Sequence, residues 1–349
     1  MRLSSVIFAA AVLAVPVLAQ YRAEQTSDQG IPVVRLIDEA NDVVVAVVPS
    51  VGNTAYQMRV HGKDILWFPQ TLPEYKANPM MSGIPLLAPW GNRLDEQAFY
   101  AGEQKYNFDM GLGNVTGEHP IHGLLSFTPY WEVRTVTADS RSARYTARLE
   151  FWRYPDLMAQ WPFAHDYEMV YELRNGQLEV RLIVTNRSDE VMPIAVGFHP
   201  YYTIPGVPRD QWMVHIPARN RVVTTPDLIP TGEFRPMDLG DENGEFTLRG
   251  RTLDDGFIDL ERNDDRLAVF TIRAGDQEVE TSFGQHYPVA IVWEPDDAQG
   301  NPRDFICIEP MAGMTDQLNL AAKGLAQQPQ TVAPGERWIG RFTVSTSGI

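Results

Sequence analysis

The chain has 349 residues, with 29 Lys+Arg against 45 Asp+Glu and a formal net charge of −16. That surplus of acid repels nucleic acid and anionic lipid and disfavours a highly charged anionic substrate. The single cysteine, Cys307, excludes an intramolecular disulfide, and the length is ample for a core that needs no such staple.

From the N-terminus, Met1-Arg2 forms a positive end, Val6 to Leu18 is nearly all apolar, and Val17-Leu18-Ala19 offers small residues for cleavage. This is the pattern of a secretory signal peptide spanning residues 1–19, cut after Ala19. The alternative is an uncleaved anchor, but the stretch is short for a membrane span and contains Pro16. No later segment is apolar enough to cross a bilayer. The expected product is a soluble, exported protein, periplasmic or secreted, with no membrane contact after cleavage.

Residues 20–349 read as one domain, because no linker, low-complexity tract or fixed-period repeat interrupts them. Short β-branched or alternating runs follow one another: Val43–Val48, Ala147–Phe151, Leu178–Val184, Leu267–Ile272 and Ala290–Trp293. Turn signals separate them, among them Val51-Gly52-Asn53, Asn186-Arg187-Ser188 and Arg249-Gly250-Arg251. Asn175-Gly176 between two such runs predicts a hairpin. No long stretch keeps a helical period. The fold class is therefore all-β, an antiparallel sandwich with long loops. Thr225–Pro230 reads as an ordered loop, and Glu294–Arg303 as an exposed one.

Three islands carry the side chains best suited to proton transfer near neutral pH. They are His119-Pro120-Ile121-His122-Gly123, Gly197-Phe198-His199-Pro200-Tyr201-Tyr202 and Cys307-Ile308-Glu309-Pro310. Gly123 allows a ligand close to His122, although a half-buried strand histidine bonded to a carbonyl would look the same. The aromatic neighbours of His199 either desolvate it and lower its pKa, or form a platform for a sugar ring, or simply pack around a bystander. Glu309 ends an apolar run and has two readings: the partner of a structural arginine, or a base with a raised pKa. Arg93, in Gly91-Asn92-Arg93-Leu94, offers a fork of donors for hydroxyls, or an ordinary ion pair. Asp254, in Leu253-Asp254-Asp255-Gly256-Phe257, would accept from sugar hydroxyls, or serve as a turn residue. Cys307 reads as a small buried hydrophobe. Metal spacings, the nucleophile elbow, and the Walker and dinucleotide glycine patterns are all missing, so the expected chemistry uses no metal and no cofactor.

Taken together and in order, these motifs resemble the aldose 1-epimerase (galactose mutarotase) family. Gly91–Leu94, Ile121–Gly123, Gly197–Tyr202, Leu253–Phe257 and Ile308–Pro310 each match a family motif, and Gly62–Trp67 looks like an early family strand. The resemblance implies a large antiparallel β-sandwich of the galactose mutarotase type, binding a small sugar in a cleft on one face. It implies interconversion of the α and β anomers of a free aldose. Glu309 would be the general base at the C1 hydroxyl and His199 the general acid at the ring oxygen. His122 would stabilise developing charge, while Arg93 and Asp254 would bind the sugar hydroxyls. The sequence departs from the family pattern at Asp255, where histidine is common, so galactose is not implied as the substrate. Two alternatives stand beside this reading. One is a non-catalytic carbohydrate-binding sandwich. The other is a hexose-6-phosphate 1-epimerase, which needs Arg or Lys at the phosphate, with Lys63, Lys76 or Arg93 as candidates. The sequence carries no signal for oligomeric state.

Overall fold

The computed structural model describes residues 20–241 and 244–349. The expected leader, residues 1–19, lies outside them. The described residues are arranged as antiparallel sheets: a nine-stranded one, an eight-stranded one, a five-stranded one near the N-terminus, and three two-stranded ribbons. The helices among them are short, the α-helices running over Leu72–Ala77, Pro155–Gln160 and Gln317–Ala322. None of these is long and apolar enough to cross a membrane.

The predicted runs fall in strands at Val43–Val48, Ala143–Glu150, Gln177–Asn186, Ala268–Ala274 and Val289–Glu294. Asn175 and Gly176, at φ +50° and +71°, turn the hairpin between His165–Arg174 and Gln177–Asn186. Two consecutive positive φ values are what a type I′ turn requires, and Asn-Gly supplies them at least cost. The early Gly62–Trp67 segment is less regular than expected, with only Lys63–Asp64 in a strand. Phe151 leaves its strand for a 3-10 turn, Phe151–Arg153.

The eight-stranded sheet positions the site. Its central strands are Leu253–Leu260, Val289–Glu294 and Ile306–Met311. Side chains alternate between its two faces. Phe257, Ala290, Val292, Ile306 and Ile308 point into the main core, where each larger apolar group contributes roughly 1.5–3 kcal/mol by leaving water. Phe198 and Tyr202 join them: the Phe198 and Phe342 rings lie 5.1 Å apart, and Tyr202 Oη donates to Thr281 Oγ1 at 3.1 Å. These contacts fasten this sheet to the nine-stranded one, since Phe342 and Thr281 belong to strands of the latter. The alternate residues of these strands, Asp254, Ile291, Trp293, Glu309 and Met311, are left to the opposite face.

Candidate active site

On that opposite face the five sequence candidates come together. His199 and Pro200 interrupt a strand. Gly197 pairs with Met311 on one side of the break, and Tyr201 pairs with Cys307 on the other. The register therefore puts His199 directly across from Glu309. The Ile306–Met311 strand runs through Glu309 and Pro310 rather than stopping there. A proline is tolerated in this position because the ladder is already broken on the His199 side. The freed backbone finds other partners: His199 N donates to Pro85 O at 3.0 Å, and Tyr201 N to Gly83 O at 2.9 Å.

His199 Nε2 and Glu309 Oε1 are 3.3 Å apart, with the two residues 5% and 1% exposed. Tyr201 stacks on the imidazole at 4.7 Å, and Trp293 meets it edge-on at 5.6 Å. Of the predicted aromatic neighbours, Tyr201 dries His199, while Phe198 and Tyr202 belong to the core behind it. Burial holds the His199 imidazole well below its usual range, helped by the nearby His122. Burial, with Asp254 adding to it and Arg93 opposing, holds the Glu309 carboxyl well above its own. Both shifts disfavour charge, so the two groups share one proton over a wide pH range.

His122 sits edge-on to His199, ring centres 5.3 Å apart. Its backbone is left-handed at φ +60°, and so is that of Gly123 at +65°. A non-glycine residue in this region carries strain of order 1–3 kcal/mol, a cost that is typical of functional sites. A side chain at 123 would meet Ala88 O at 2.2 Å, so glycine is obligatory there. Asn92 O accepts from His122 N at 3.1 Å, which ties this turn to the Arg93 loop. Burial, then Arg93, pushes the His122 imidazole down to about 3, so it is neutral in the working range.

Arg93 Nη2 lies 4.0 Å from Asp254 Oδ2, and its Nη1 donates to Asn92 Oδ1 at 3.1 Å. The ion pair is long, which leaves donors and acceptors for a ligand. Asp254 lies inside the Leu253–Leu260 strand rather than in a turn, and burial raises its carboxyl. Asp255, where the family pattern breaks, points the other way. Its Oδ1 accepts from Arg221 Nη2 at 2.6 Å, and Arg221 also holds Asp238. Cys307 is fully buried among Tyr201 and Phe305, and burial pushes its thiol well up. Lys63 and Lys76 are not among the lining residues. Nor is any group of three or more His, Cys, Asp or Glu among the described residues placed to hold a metal ion.

The adjoining pocket between Arg93, Asp254, Ile291 and Met314 is narrow, about 20 Å³, enough for a water molecule. The rim includes Met314, a flexible side chain, and Leu228 of the loop predicted over Thr225–Pro230. Sequence reasoning missed Trp293, Met314 and Thr315 as site residues. Trp293 was readable as the third of Val289, Ile291 and Trp293 on one strand face. Met314 and Thr315 lie in an irregular segment with no periodic signal.

A buried imidazole–carboxylate couple at a break in a β-sandwich, with an Arg–Asp pair beside it, is suited to proton transfer, and it sits on a galactose mutarotase-like fold. The sequence profile of aldose 1-epimerases matches residues 35–345, and the chain belongs to that family. Its fold is similar to that of a galactose mutarotase-like protein from Clostridium acetobutylicum, with TM-score 0.82 and 21% identity over 95% of this chain and 99% of that one. Galactose 1-epimerase from Lactobacillus acidophilus has TM-score 0.73 and 15% identity over 94% and 99%. A protein of Synechocystis sp. PCC 6803 has TM-score 0.71 and 23% identity over 91% and 96%. Family and fold together support a mutarotase-like isomerase.

Proposed function

We propose that the protein is an exported aldose 1-epimerase acting on a neutral free sugar. The observation that carries this reading is the 3.3 Å approach of His199 Nε2 to Glu309 Oε1 in a dry site. Such a couple holds one proton and one vacant acceptor, which is what ring opening consumes.

Glu309 takes the proton from the C1 hydroxyl as His199 gives its proton to the ring oxygen. The O1–H electrons become the C1=O bond and the C1–O5 bond breaks. The acid and base are then neutral, the state that burial favours. Rotation about C1–C2 presents the other aldehyde face. The O5 hydroxyl attacks it while Glu309 returns its proton to O1 and His199 takes one from O5. The charged starting tautomer is disfavoured by burial alone. Arg93 opposes that effect at Glu309, and donors from the sugar hydroxyls would add to its opposition. His122, neutral, hydrogen-bonds the reacting oxygens, and Arg93 and Asp254 hold the other hydroxyls.

Charge around the pocket favours a neutral sugar over a phosphorylated one. Arg93 faces Asp254 and Glu309, and Arg221 is occupied by Asp255 and Asp238. The N-terminal leader pattern supports export.

The test is anomerisation of freshly dissolved α-glucose, α-galactose and pentoses, followed by NMR or polarimetry. Equilibration faster than in buffer is expected for at least one neutral sugar. Sugar binding with no rate effect would make the protein a binder, and activity confined to phosphorylated sugars would overturn the neutral-substrate reading.

A further inference from the structure

A buried carboxylate with no part in the proton transfer lies behind the Arg93 loop. Asp316 is 1% exposed and directly follows Met314 and Thr315 of the pocket wall. Its Oδ1 accepts from Asp95 N at 2.8 Å, and its own N donates to Arg93 O at 3.2 Å. One residue thus holds the peptide groups on both sides of Leu94. Asn319, also fully buried and three residues further on, completes the grip. Its Nδ2 donates to Asp316 Oδ1 at 2.7 Å, and to Asp95 O and Ala98 O at 3.0 Å each.

The gripped segment has a costly backbone. Asn92, Glu96 and Gln97 are left-handed, with φ of +56°, +59° and +51°, and Asp316 itself is left-handed at +57°. Residues other than glycine keep that conformation only where their surroundings over-determine it. On its other flank the segment is tied to the His122 turn, with Leu94 N donating to Pro120 O at 3.0 Å. Outside, Lys323 Nζ reaches Asp95 Oδ2 at 3.3 Å and Glu96 Oε1 at 2.7 Å, but half-exposed ion pairs of this kind contribute little. Asp316 and Asn319 are the buried anchors. The guanidinium carried by this strip is the one that faces Asp254 and the pocket.

We propose that Asp316, supported by Asn319, is a positioning residue: it fixes where the Arg93 guanidinium stands relative to His199 and Glu309. The inference rests on the function proposed above for the part Arg93 plays with the sugar. A misplacement of about 1 Å at such a group costs up to about 10²-fold in rate. Position 316 has two requirements, a side-chain oxygen for Asp95 N and a backbone that tolerates positive φ. Asparagine meets both, and alanine meets neither.

The test is a double-mutant cycle between Asp316 and Arg93, with amide hydrogen exchange beside it. Asp316→Ala is expected to lower kcat/KM about tenfold or more, mainly through KM, while Asp316→Asn stays within about threefold of the unaltered protein. In an Arg93→Ala background, Asp316→Ala should lower kcat/KM less than about twofold further, because no guanidinium is left to place. Exchange at residues 93–98 should quicken in Asp316→Ala, and exchange in the distant Gln177–Asn186 strand should not. Should Asp316→Ala not fold, Asn319→Ala replaces it in both measurements, with the same directions expected. Equal losses with and without Arg93 would make Asp316 a general structural group and overturn the proposal. So would an Asp316→Asn variant as impaired as Asp316→Ala. Exchange also separates this proposal from the epimerase reading. If no sugar is epimerised but exchange quickens at 93–98 alone, the hold on Arg93 stands and the epimerase reading falls. If sugar is epimerised and exchange at 93–98 is unchanged, the hold falls and the epimerase reading stands.

Discussion

Two buried glutamates on neighbouring strands of one sheet have opposite surroundings. Glu294 is 0% exposed and Glu309 is 1% exposed. Glu294 belongs to the core-facing set of its strand and contacts Arg209, itself 1% exposed, which also reaches Asp296 Oδ1 at 3.0 Å and Pro295 O at 3.2 Å. Glu309 belongs to the outward set and faces the imidazole of His199 instead. A guanidinium never releases its proton, so the Glu294 couple can only hold the chain together. An imidazole gives and takes one, so the Glu309 couple can do chemistry. Burial alone therefore does not mark a functional carboxylate. The partner does.

The sharpest way to break this contrast is to neutralise each glutamate couple in turn. Glu309→Gln and His199→Asn are each expected to lower kcat by about 10²–10⁴, the usual worth of a positioned acid or base. Stability should change by less than about 1 kcal/mol, because the partner left behind is neutral rather than an uncompensated buried charge. Polarimetry and thermal melts check both halves, and a variant that keeps full rate loses its assigned role. Arg209→Met should do the reverse. It takes the buried donor from Glu294, Asp296 and Pro295 O and should cost about 1–3 kcal/mol of stability. Activity per folded molecule, measured alongside denaturant melts, should stay within a few-fold. If Arg209→Met removes activity from well-folded protein, the division between structural and chemical couples fails.

A third outcome concerns pH and stability. Burial pushes Glu294 up from 4.5 to about 8, and Glu309 is raised as well. The folded state then keeps protons that the unfolded chain releases above 4.5, so these groups lower stability as pH rises through that window, and the Glu294 share levels off above about 8. Glu294→Gln should flatten the slope of stability against pH, measured by denaturant titration. An unchanged slope would show that Glu294 is ionised throughout. The smallest expected effect lies in the pH profile of kcat/KM. The couple works with one proton. Its low-pH limb, set by the depressed His199, should lie below 6.5, and its high-pH limb, set by the raised Glu309, above 4.5. His122, at about 3, should add no limb in the assay range.

The strand runs were legible because alternation and β-branching report a half-buried pleated surface locally. The Asn175-Gly176 hairpin was legible for the same reason: its turn depends on two adjacent residues. The candidate side chains were also legible, through the ordered motifs at Arg93, His122, His199, Asp254 and Glu309. Their surroundings were less so. Whether Glu309 held a structural arginine or stood as a base with a raised pKa was open from its neighbours in sequence, because the residue opposite it lies 110 positions away, the interval between 199 and 309. The Asp254-Asp255-Gly256 triplet taken in isolation read first as a turn, and only its pairing with Trp293, Val292 and Ile291 puts it in a strand.

By itself, then, the sequence determined the all-β class, the main turns and the chemical types available for proton transfer, since each is written in neighbouring residues or in their alternation. Tertiary structure alone decided the rest. It set His199 opposite Glu309 through a broken ladder, gave Glu294 its guanidinium and turned Asp255 towards Arg221. Those facts depend on strand register and on which face each side chain takes. Register is fixed by burying whole faces at once, a property of the assembled sheets that no short stretch of sequence contains.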